Sequence, residues 1–381
     1  MSRLLGIAAL AMGACSPPDL SRTSSDLSVD VVTDVADVDG RFVSLIEGAE
    51  TSLHLALPTI ESPAIADALL AAVDRGVEVE VSTDAQSEHA VGVETLLDAG
   101  LDVALDDDAL AYFGFDVNAD LGWSGAQVQM SHAMAVADGA RFVTASRAGE
   151  LADGPIAVFE GRGEDPCEVI EGELRQIHDG IDATALDAYN AGNKSIPDPR
   201  TIFGTSSDER FELHFGPQGR LLKGVIDAVY DARSSVRIVT EDLTDVGLIQ
   251  ALQNKAADGF DVQVIVGASF GTTSSAQSNV LRDEAPDVEK LHVLSGARLP
   301  TVVYVDFDPA RDGRYHTPTV MVLTHPLYSA SRLFGSSPVV TDQYIDGTMV
   351  VMSVADVPPS PPLQALAAIH ADAIADVEVL P

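Results

Sequence analysis

One segment of the sequence occurs twice, and this repeat limits the fold more than any other feature. Residues 49–85, AETSLHLALPTIESPAIADALLAAVDRGVEVEVSTDA, align without a gap with residues 232–268, ARSSVRIVTEDLTDVGLIQALQNKAADGFDVQVIVGA. Each copy has an extended apolar run, then apolar residues at helical spacing, then a glycine and a second extended run. Strand–helix–strand units connect parallel strands, so the sequence predicts an α/β chain of two halves, each a mixed β-sheet flanked by helices.

A second pair of segments has nearly the same separation. The sequence SHAMAVADGARFVTAS, residues 131–146, has the same length as HTPTVMVLTHPLYSAS, residues 316–331, and both end in Ala-Ser. Gly76 and Gly259 of the first repeat are 183 residues apart, and the alanines that end the second pair are 185 apart. The two similar offsets indicate a duplicated chain with pseudo-twofold-related halves.

These segments resemble the phospholipase D superfamily, in which each half carries one motif, His-x-Lys-x4-Asp-x6-Gly-Ser-x-Asn. The resemblance covers residues 38–376, and DGARFVTAS, residues 138–146, fits the Asp-x6-small-Ser part. It implies a site between the halves, where one histidine attacks phosphorus and the other protonates the leaving oxygen. Lysine, serine and asparagine side chains would hold the nonbridging oxygens, where charge accumulates. No cofactor and no metal is expected.

The motif positions of this chain hold mostly other residue types. In the first half, Ser131 stands at the histidine position and Ala133 at the lysine position. The alignment of residues 131–146 with residues 316–331 gives the positions of the second half. His316 stands at the histidine position, Pro318 at the lysine position, Leu323 at the aspartate position and Ser331 at the serine position. Both lysines and one of the two histidines are therefore absent.

The resemblance also assigns roles to the residues that remain. It implies His316 and Ser131 as the catalytic positions and Ser146 and Ser331 as substrate-binding hydroxyls. Asp138, and Asp346 in the segment after the second motif, would support the site.

Three functions are compatible with this set. The first is a noncatalytic pseudoenzyme that binds a phosphodiester, a phospholipid headgroup or an envelope protein. The alternative is a residual phosphodiesterase or phospholipase that uses His316 with Ser131, or with His132 brought into the cleft by a β-bulge. The third is an envelope scaffold with a filled cleft. Without lysines, a phosphoryl transition state would be poorly neutralised, which favours the first function.

The N-terminus resembles a bacterial lipoprotein signal. One cation, Arg3, precedes an apolar run over residues 4–14, which ends in small residues directly before Cys15. We expect a signal peptide over residues 1–14, a lipidated Cys15 in the membrane and a flexible tether over residues 15–37. A serine after the cysteine favours the outer membrane, with the protein facing the periplasm or the cell surface.

The other domain boundaries follow from the repeat and from turn-rich composition. The N-terminal half is predicted over residues 38–187 and the C-terminal half over residues 211–381. Residues 188–210, AYNAGNKSIPDPRTIFGTSSDER, are rich in Gly, Pro, Asn and Ser and are predicted to be the linker between them.

Acidic residues dominate the charge of the chain. The 59 Asp and Glu residues against 22 Lys and Arg give a formal net charge of −37, which disfavours a nucleic-acid partner. We expect a monomer. The acidic clusters at residues 106–108 and 306–312 are predicted to be solvated turns instead of cation sites.

If Cys15 carries lipid, Cys167 has no disulfide partner and is predicted to be buried and inert.

Overall fold

A computed structural model gives the fold of the chain, and the residues that it describes fall into seventeen ranges. The structure describes residues 21–22, 28–33, 38–106, 130–146, 156–178, 201–204, 209–216, 221–241, 243, 245–267, 285–293, 299–307, 318–324, 327, 347–354, 361–375 and 377–379.

The described residues form seventeen strands and seven α-helices. The strands are β1 Ser21–Arg22, β2 Ser28–Val32, β3 Ser52–Leu57, β4 Glu78–Asp84, β5 Val103–Asp106, β6 Met134–Ala137, β7 Arg141–Ala145, β8 Val158–Arg162, β9 Thr201–Gly204, β10 Glu209–Phe215, β11 Ser235–Thr240, β12 Asp261–Val266, β13 Glu289–Val293, β14 Thr301–Val305, β15 Thr319–Leu323, β16 Thr348–Val354 and β17 Val377–Val379. The helices are α1 Val38–Glu47, α2 Pro63–Asp74, α3 Val91–Asp98, α4 Glu164–His178, α5 Leu221–Asp231, α6 Val246–Ala257 and α7 Pro361–Ile374.

The strands form two mixed sheets that repeat one topology. The smaller sheet has the order β2-β8-β7-β6-β3-β4-β5, and the larger has the order β1-β9-β10-β16-β15-β14-β11-β12-β13-β17. Seven neighbouring strands of the larger sheet, β10-β16-β15-β14-β11-β12-β13, correspond one by one to the seven strands of the smaller sheet. Each neighbouring pair has the same parallel or antiparallel direction in both sheets. The predicted fold class and the duplication are therefore confirmed.

The crossover helices α2 and α6 end in the same way. Each is followed by a glycine in the left-handed region, Gly76 with φ 85° and Gly259 with φ 86°. A side chain is strained in this conformation, so glycine allows the chain to turn at once into the next parallel strand. At its start, α6 is capped by Asp245, whose carboxylate accepts the Leu248 N–H at 2.7 Å.

Side chains of both sheets meet in one central core. Phe142 and Phe159 of the smaller sheet lie near Phe211 of the larger sheet, with ring centroids 6.2 and 6.3 Å away. Helices α4 and α7 bury their apolar faces in the same core. Two outer cores complete the fold: α1, α2 and α3 cover the smaller sheet, and α5 and α6 cover the larger one. The two halves consequently form one body with shared packing.

Two segments predicted to be linkers contain strands. The predicted tether, residues 15–37, includes β1, which pairs with β9, and β2, which pairs with β8. The predicted linker, residues 188–210, includes β9. These three strands have two to five residues and are too short to show the period-two pattern that identifies longer strands. Among the described residues, no helix has the length and apolarity needed to cross a membrane.

Candidate functional site

Asp138 and Asp306 clamp equivalent backbone in the two halves. The Asp138 carboxylate accepts the N–H groups of residues 50–52 at 2.7–3.2 Å. The Asp306 carboxylate accepts those of residues 233–235 at 2.7–3.3 Å. Both aspartates adopt left-handed backbone, with φ of 56° and 53°. This conformation, which aspartate tolerates better than most residues, turns each carboxylate towards the start of β3 or β11.

The clamp changes the acidity of Asp138. Burial by itself would raise the pKa of this carboxyl. Hydrogen bonds from the Thr51 N–H and hydroxyl, and from the N–H groups of Ser52 and Glu50, outweigh burial and lower the pKa to about 2. Asp138 is therefore ionised at neutral pH, and its oxygens bind backbone of its own half.

The clamps correct the sequence alignment of the second half. Asp306, and not Leu323, is the counterpart of Asp138, because each aspartate follows the equivalent strand and binds the equivalent backbone. The prediction that residues 306–312 begin with a solvated carboxylate is likewise wrong, since Asp306 is buried. The alignment failed because the connection from β14 to β15 is longer than the turn from β6 to β7.

The corrected alignment also moves the motif positions. Seven residues before Asp306, the histidine position holds Leu299 instead of His316. Five residues before Asp306, the lysine position holds Thr301 instead of Pro318. Leu299 and Thr301 are both buried, and the Thr301 hydroxyl oxygen lies 3.1 Å from that of Thr240.

The serine position of the second half holds Thr324. In the first half, the Ser146 N–H donates to the Ala157 carbonyl at 2.8 Å, and the Ser146 hydroxyl accepts the Ala157 N–H at 3.1 Å. Thr324 makes the same two bonds with Thr348, each at 3.0 Å. Ser331, the predicted counterpart, lies outside the described residues.

The two halves meet through hydroxyl groups at the motif positions. The Ser131 hydroxyl of the first half lies 3.1 Å from the Thr324 hydroxyl of the second half, and either can donate. Two residues further along the chain, directly before β6, Ala133 is fully buried. The resemblance places phosphoryl chemistry at this seam, where the structure brings together Ser131 and Thr324.

His132 points into a buried contact between the halves. Its Nδ1 atom lies 2.8 Å from the Thr348 hydroxyl, and its Nε2 atom lies 3.8 Å from a carboxylate oxygen of Glu173 on α4. The ring also faces Phe215, with centroids 6.1 Å apart. His132 and Glu173 are both almost fully buried. Sequence reasoning did not find this contact, because Thr348 and Glu173 are distant in the chain and belong to no motif.

Two predictions about other side chains have opposite outcomes. Cys167 is buried, as predicted, and burial, with a smaller contribution from the charge of Glu171, raises the pKa of its thiol to about 12. Asp106, predicted to be solvated, is buried at the end of β5 beside its ladder partner Asp84. Within the described ranges, His, Cys, Asp and Glu side chains form no cluster that could hold a metal ion.

Four predicted functional residues lie outside the described residues: Cys15, His316, Ser331 and Asp346. Their assigned roles in lipidation, catalysis, binding and support stay predictions.

Comparisons with known structures identify the fold. Phosphatidylserine synthase of Haemophilus influenzae is 11% identical, over 92% of this chain and 87% of its own, with a TM-score of 0.57. Polyphosphate kinase of Porphyromonas gingivalis is 10% identical over 90% of this chain, with a TM-score of 0.51, and this chain spans half of that enzyme. Nuc of Salmonella typhimurium, a phospholipase D family member, is 16% identical over 40% of this chain and 94% of its own, with a TM-score of 0.32.

The chain has the phospholipase D-like fold that the resemblance predicted. No protein-family model and no curated protein sequence matches it. At sequence identities of 10–11%, the similarity to the two structures with the higher TM-scores shows the fold and nothing about function.

Proposed function

We propose that this protein is a noncatalytic phospholipase D-like protein of the bacterial cell envelope. It binds a ligand or a protein partner and does not hydrolyse what it binds. One observation carries the proposal. The four positions at which the resemblance implies two histidines and two lysines hold Ser131, Leu299, Ala133 and Thr301.

These four side chains lack the groups that phosphoryl transfer requires. A phosphodiester transition state needs a nucleophile, a general acid and cations that neutralise charge on the nonbridging oxygens. Two of the four side chains are apolar, and the other two are hydroxyls that are weak nucleophiles without a base. The Thr324 hydroxyl, which lies 3.1 Å from that of Ser131, is too weakly basic to activate it.

The alternative function is a residual phosphodiesterase or phospholipase. His132 fits it poorly, because its ring is buried against Thr348 and Glu173. Moving His132 into the cleft would break this buried contact with Thr348 and Glu173. The form of the alternative to be tested therefore combines His316 with Ser131.

Hydrolysis assays separate the two functions. The full chain in detergent is incubated with bis(4-nitrophenyl) phosphate and with phosphatidylcholine, beside the variant His316→Ala. We expect both proteins to release product at the rate of the buffer alone. Hydrolysis by the wild type that the substitution abolishes would contradict the proposal and support the alternative.

The envelope location is a proposal in its own right, supported by the N-terminal sequence. Cleavage before Cys15 and acylation of its thiol and amino group would anchor the protein in the outer membrane, facing the periplasm or the cell surface. The strongly acidic composition supports a partner other than nucleic acid. Mass spectrometry of the mature N-terminus should find acylated Cys15 in the wild type and no lipid in the variant Cys15→Ser. An unprocessed Met1 would contradict this location.

A further inference from the structure

A cavity of about 690 Å³ lies in the second half, away from the seam hydroxyls. It lies between α5 and one face of strands β10, β16, β15 and β14. Cavities of this size commonly hold small organic molecules.

The corresponding space of the first half is occupied by two arginines. Arg41 of α1 donates to Glu160 of β8 at 2.9 Å. Arg141 of β7 donates to the Asp138 carboxylate at 3.2 Å and to the carbonyl oxygen of Gly48. A Cβ atom at Gly48 would lie 2.6 Å from an Arg141 nitrogen, so the glycine allows the guanidinium group to lie close to this backbone.

The second half has small residues where the first half has these arginines. Helices α1 and α5, which precede the gap-free repeat, begin at Val38 and Leu221, so the same offset of 183 residues pairs Arg41 with Gly224. The strand ladders pair Arg141 with Thr319 of β15, since each lies opposite the last residue before the clamp aspartate. Gly224 and Thr319 both line the cavity. Loss of the two arginine side chains explains why the space is open in this half.

Of the two lost guanidinium groups, that of Arg141 has its carboxylate acceptor kept in the second half, and one carboxylate is added. Asp306, the counterpart of Asp138, lines the cavity and is 5% exposed. At the position of Gly48, the second half has Asp231, which also lines the cavity. The other charged lining residues are Arg210, Glu212, Asp227 and Arg233. Asp227 is paired with Lys223, and Glu212 lies 3.1 Å from His214. Asp306 and Asp231 are the lining carboxylates that remain to receive a cationic ligand.

We infer that this cavity binds a small organic cation with a guanidinium group, which occupies the place that Arg141 fills in the first half. Its donors face Asp306 and Asp231, as Arg141 faces Asp138 and the Gly48 carbonyl. The planar guanidinium group offers several donors to carboxylate and carbonyl oxygens at once. An apolar floor, formed by Met321, Met349 and Val351, receives the hydrocarbon stem. This site is separate from the seam and does not depend on the proposed function.

Calorimetric titration of the full chain in detergent tests the inference with agmatine, which has a guanidinium group, a four-carbon stem and an amine. We expect saturable binding with a Kd between about 10 µM and 1 mM. Putrescine, which has amines at both ends of the same stem, should bind about tenfold more weakly or not at all. Glutarate, an anion of similar length, should not bind. Absence of saturable agmatine binding up to about 10 mM would overturn the inference, and equal binding of putrescine would overturn its guanidinium specificity.

Arginine substitutions test the location of the site. Gly224→Arg and Thr319→Arg restore the two residues of the first half and should each abolish agmatine binding. A Cβ atom at Gly224 would meet only the mobile end of Met349, at 3.3 Å, so the helix can accept the change. Gly172→Arg, on the exposed side of α4, adds the same charge outside the cavity and should leave binding unchanged. Two independent variants allow the test if one of them fails to fold. Agmatine binding that survives in a folded Gly224→Arg or Thr319→Arg variant would contradict this site.

Discussion

The hydroxyl oxygens of Ser131 and Thr324 lie 3.1 Å apart, and the two residues belong to different halves of the duplicated chain. Each stands at a motif position of its half, the histidine position for Ser131 and the serine position for Thr324. Where related chemistry would need an open site with a histidine, these halves are joined by a direct hydrogen bond. The bond therefore supports the noncatalytic function proposed here.

The seam bond should be measurable as a coupling energy. Ser131→Ala and Thr324→Val each remove one hydroxyl, and the double variant should lose less stability than the sum of the single losses. We expect a coupling of about 1 kcal/mol from urea unfolding, the usual net value of one hydrogen bond. Ser146→Ala serves as the control, because Ser146 bonds to Ala157 and should combine additively with Thr324→Val. Additivity of Ser131→Ala with Thr324→Val would show that the seam bond contributes nothing.

The clamp aspartates should both stabilise the fold, and Asp306 should contribute more. Asp306→Asn keeps the side-chain volume and the tolerance for left-handed backbone but removes the charge that accepts three N–H groups. We expect it to lower the free energy of unfolding by about 1.5–3 kcal/mol, measured by urea unfolding at pH 7. Asp138→Asn should have a smaller effect, since its carboxylate is more exposed. A larger loss of unfolding free energy in Asp138→Asn than in Asp306→Asn would contradict this prediction.

The Asp138 clamp also predicts a pH dependence. The pKa of this carboxyl falls from 3.8 to about 2 on folding, so the unfolded chain binds its proton more readily. The stability that Asp138 provides is complete above pH 4 and is lost as the pH falls towards 2. The difference in unfolding free energy between the wild type and Asp138→Asn should therefore shrink over this interval. A difference that stays constant from pH 5 to about pH 2 would refute the low pKa.

His132 should be important for stability and unimportant for hydrolysis. His132→Ala leaves a cavity and removes the ring that separates Glu173 from Thr348, which should cost about 3 kcal/mol of unfolding free energy. His89→Ala is the matched control, because the side chain of His89 is 87% exposed, and it should be nearly neutral. A neutral His132→Ala would show that the buried contact does not form.

Cys167 should be unreactive in the folded protein. Its thiol is buried and its pKa is raised to about 12, so very little thiolate is present at pH 8. In a Cys15→Ser variant, which leaves Cys167 as the one thiol of the sequence, iodoacetamide should label the chain only after unfolding in guanidinium chloride. Fast labelling under native conditions would contradict the buried position.

The sequence predicted the duplicated strand–helix–strand units because they contain long periodic runs with a glycine at the same place. It misaligned the second motif because the Ala-Ser ending of residues 316–331 looked like that of residues 131–146. A better signal was present in the sequence, an apolar strand that ends at an aspartate, in AVAD before Gly139 and in VYVD before Phe307.

Other features could not be read from any local pattern. The Ser131 contact with Thr324 joins residues 193 positions apart in the chain, and only the packing of the two halves brings them together. The cavity beside α5 is likewise a difference between two similar halves. It becomes visible when Gly224 and Thr319 are compared with the residues that fill their place in the first half.

The central claim, that no histidine of this chain attacks phosphorus, has a direct test. A histidine nucleophile would form a covalent phosphoryl adduct during turnover. The full chain is incubated with bis(4-nitrophenyl) phosphate, quenched rapidly at a pH that preserves phosphohistidine and analysed by mass spectrometry. We predict the mass of the unmodified protein. A phosphoryl adduct on any histidine would contradict the noncatalytic function, and its loss in the His316→Ala variant would place it on His316.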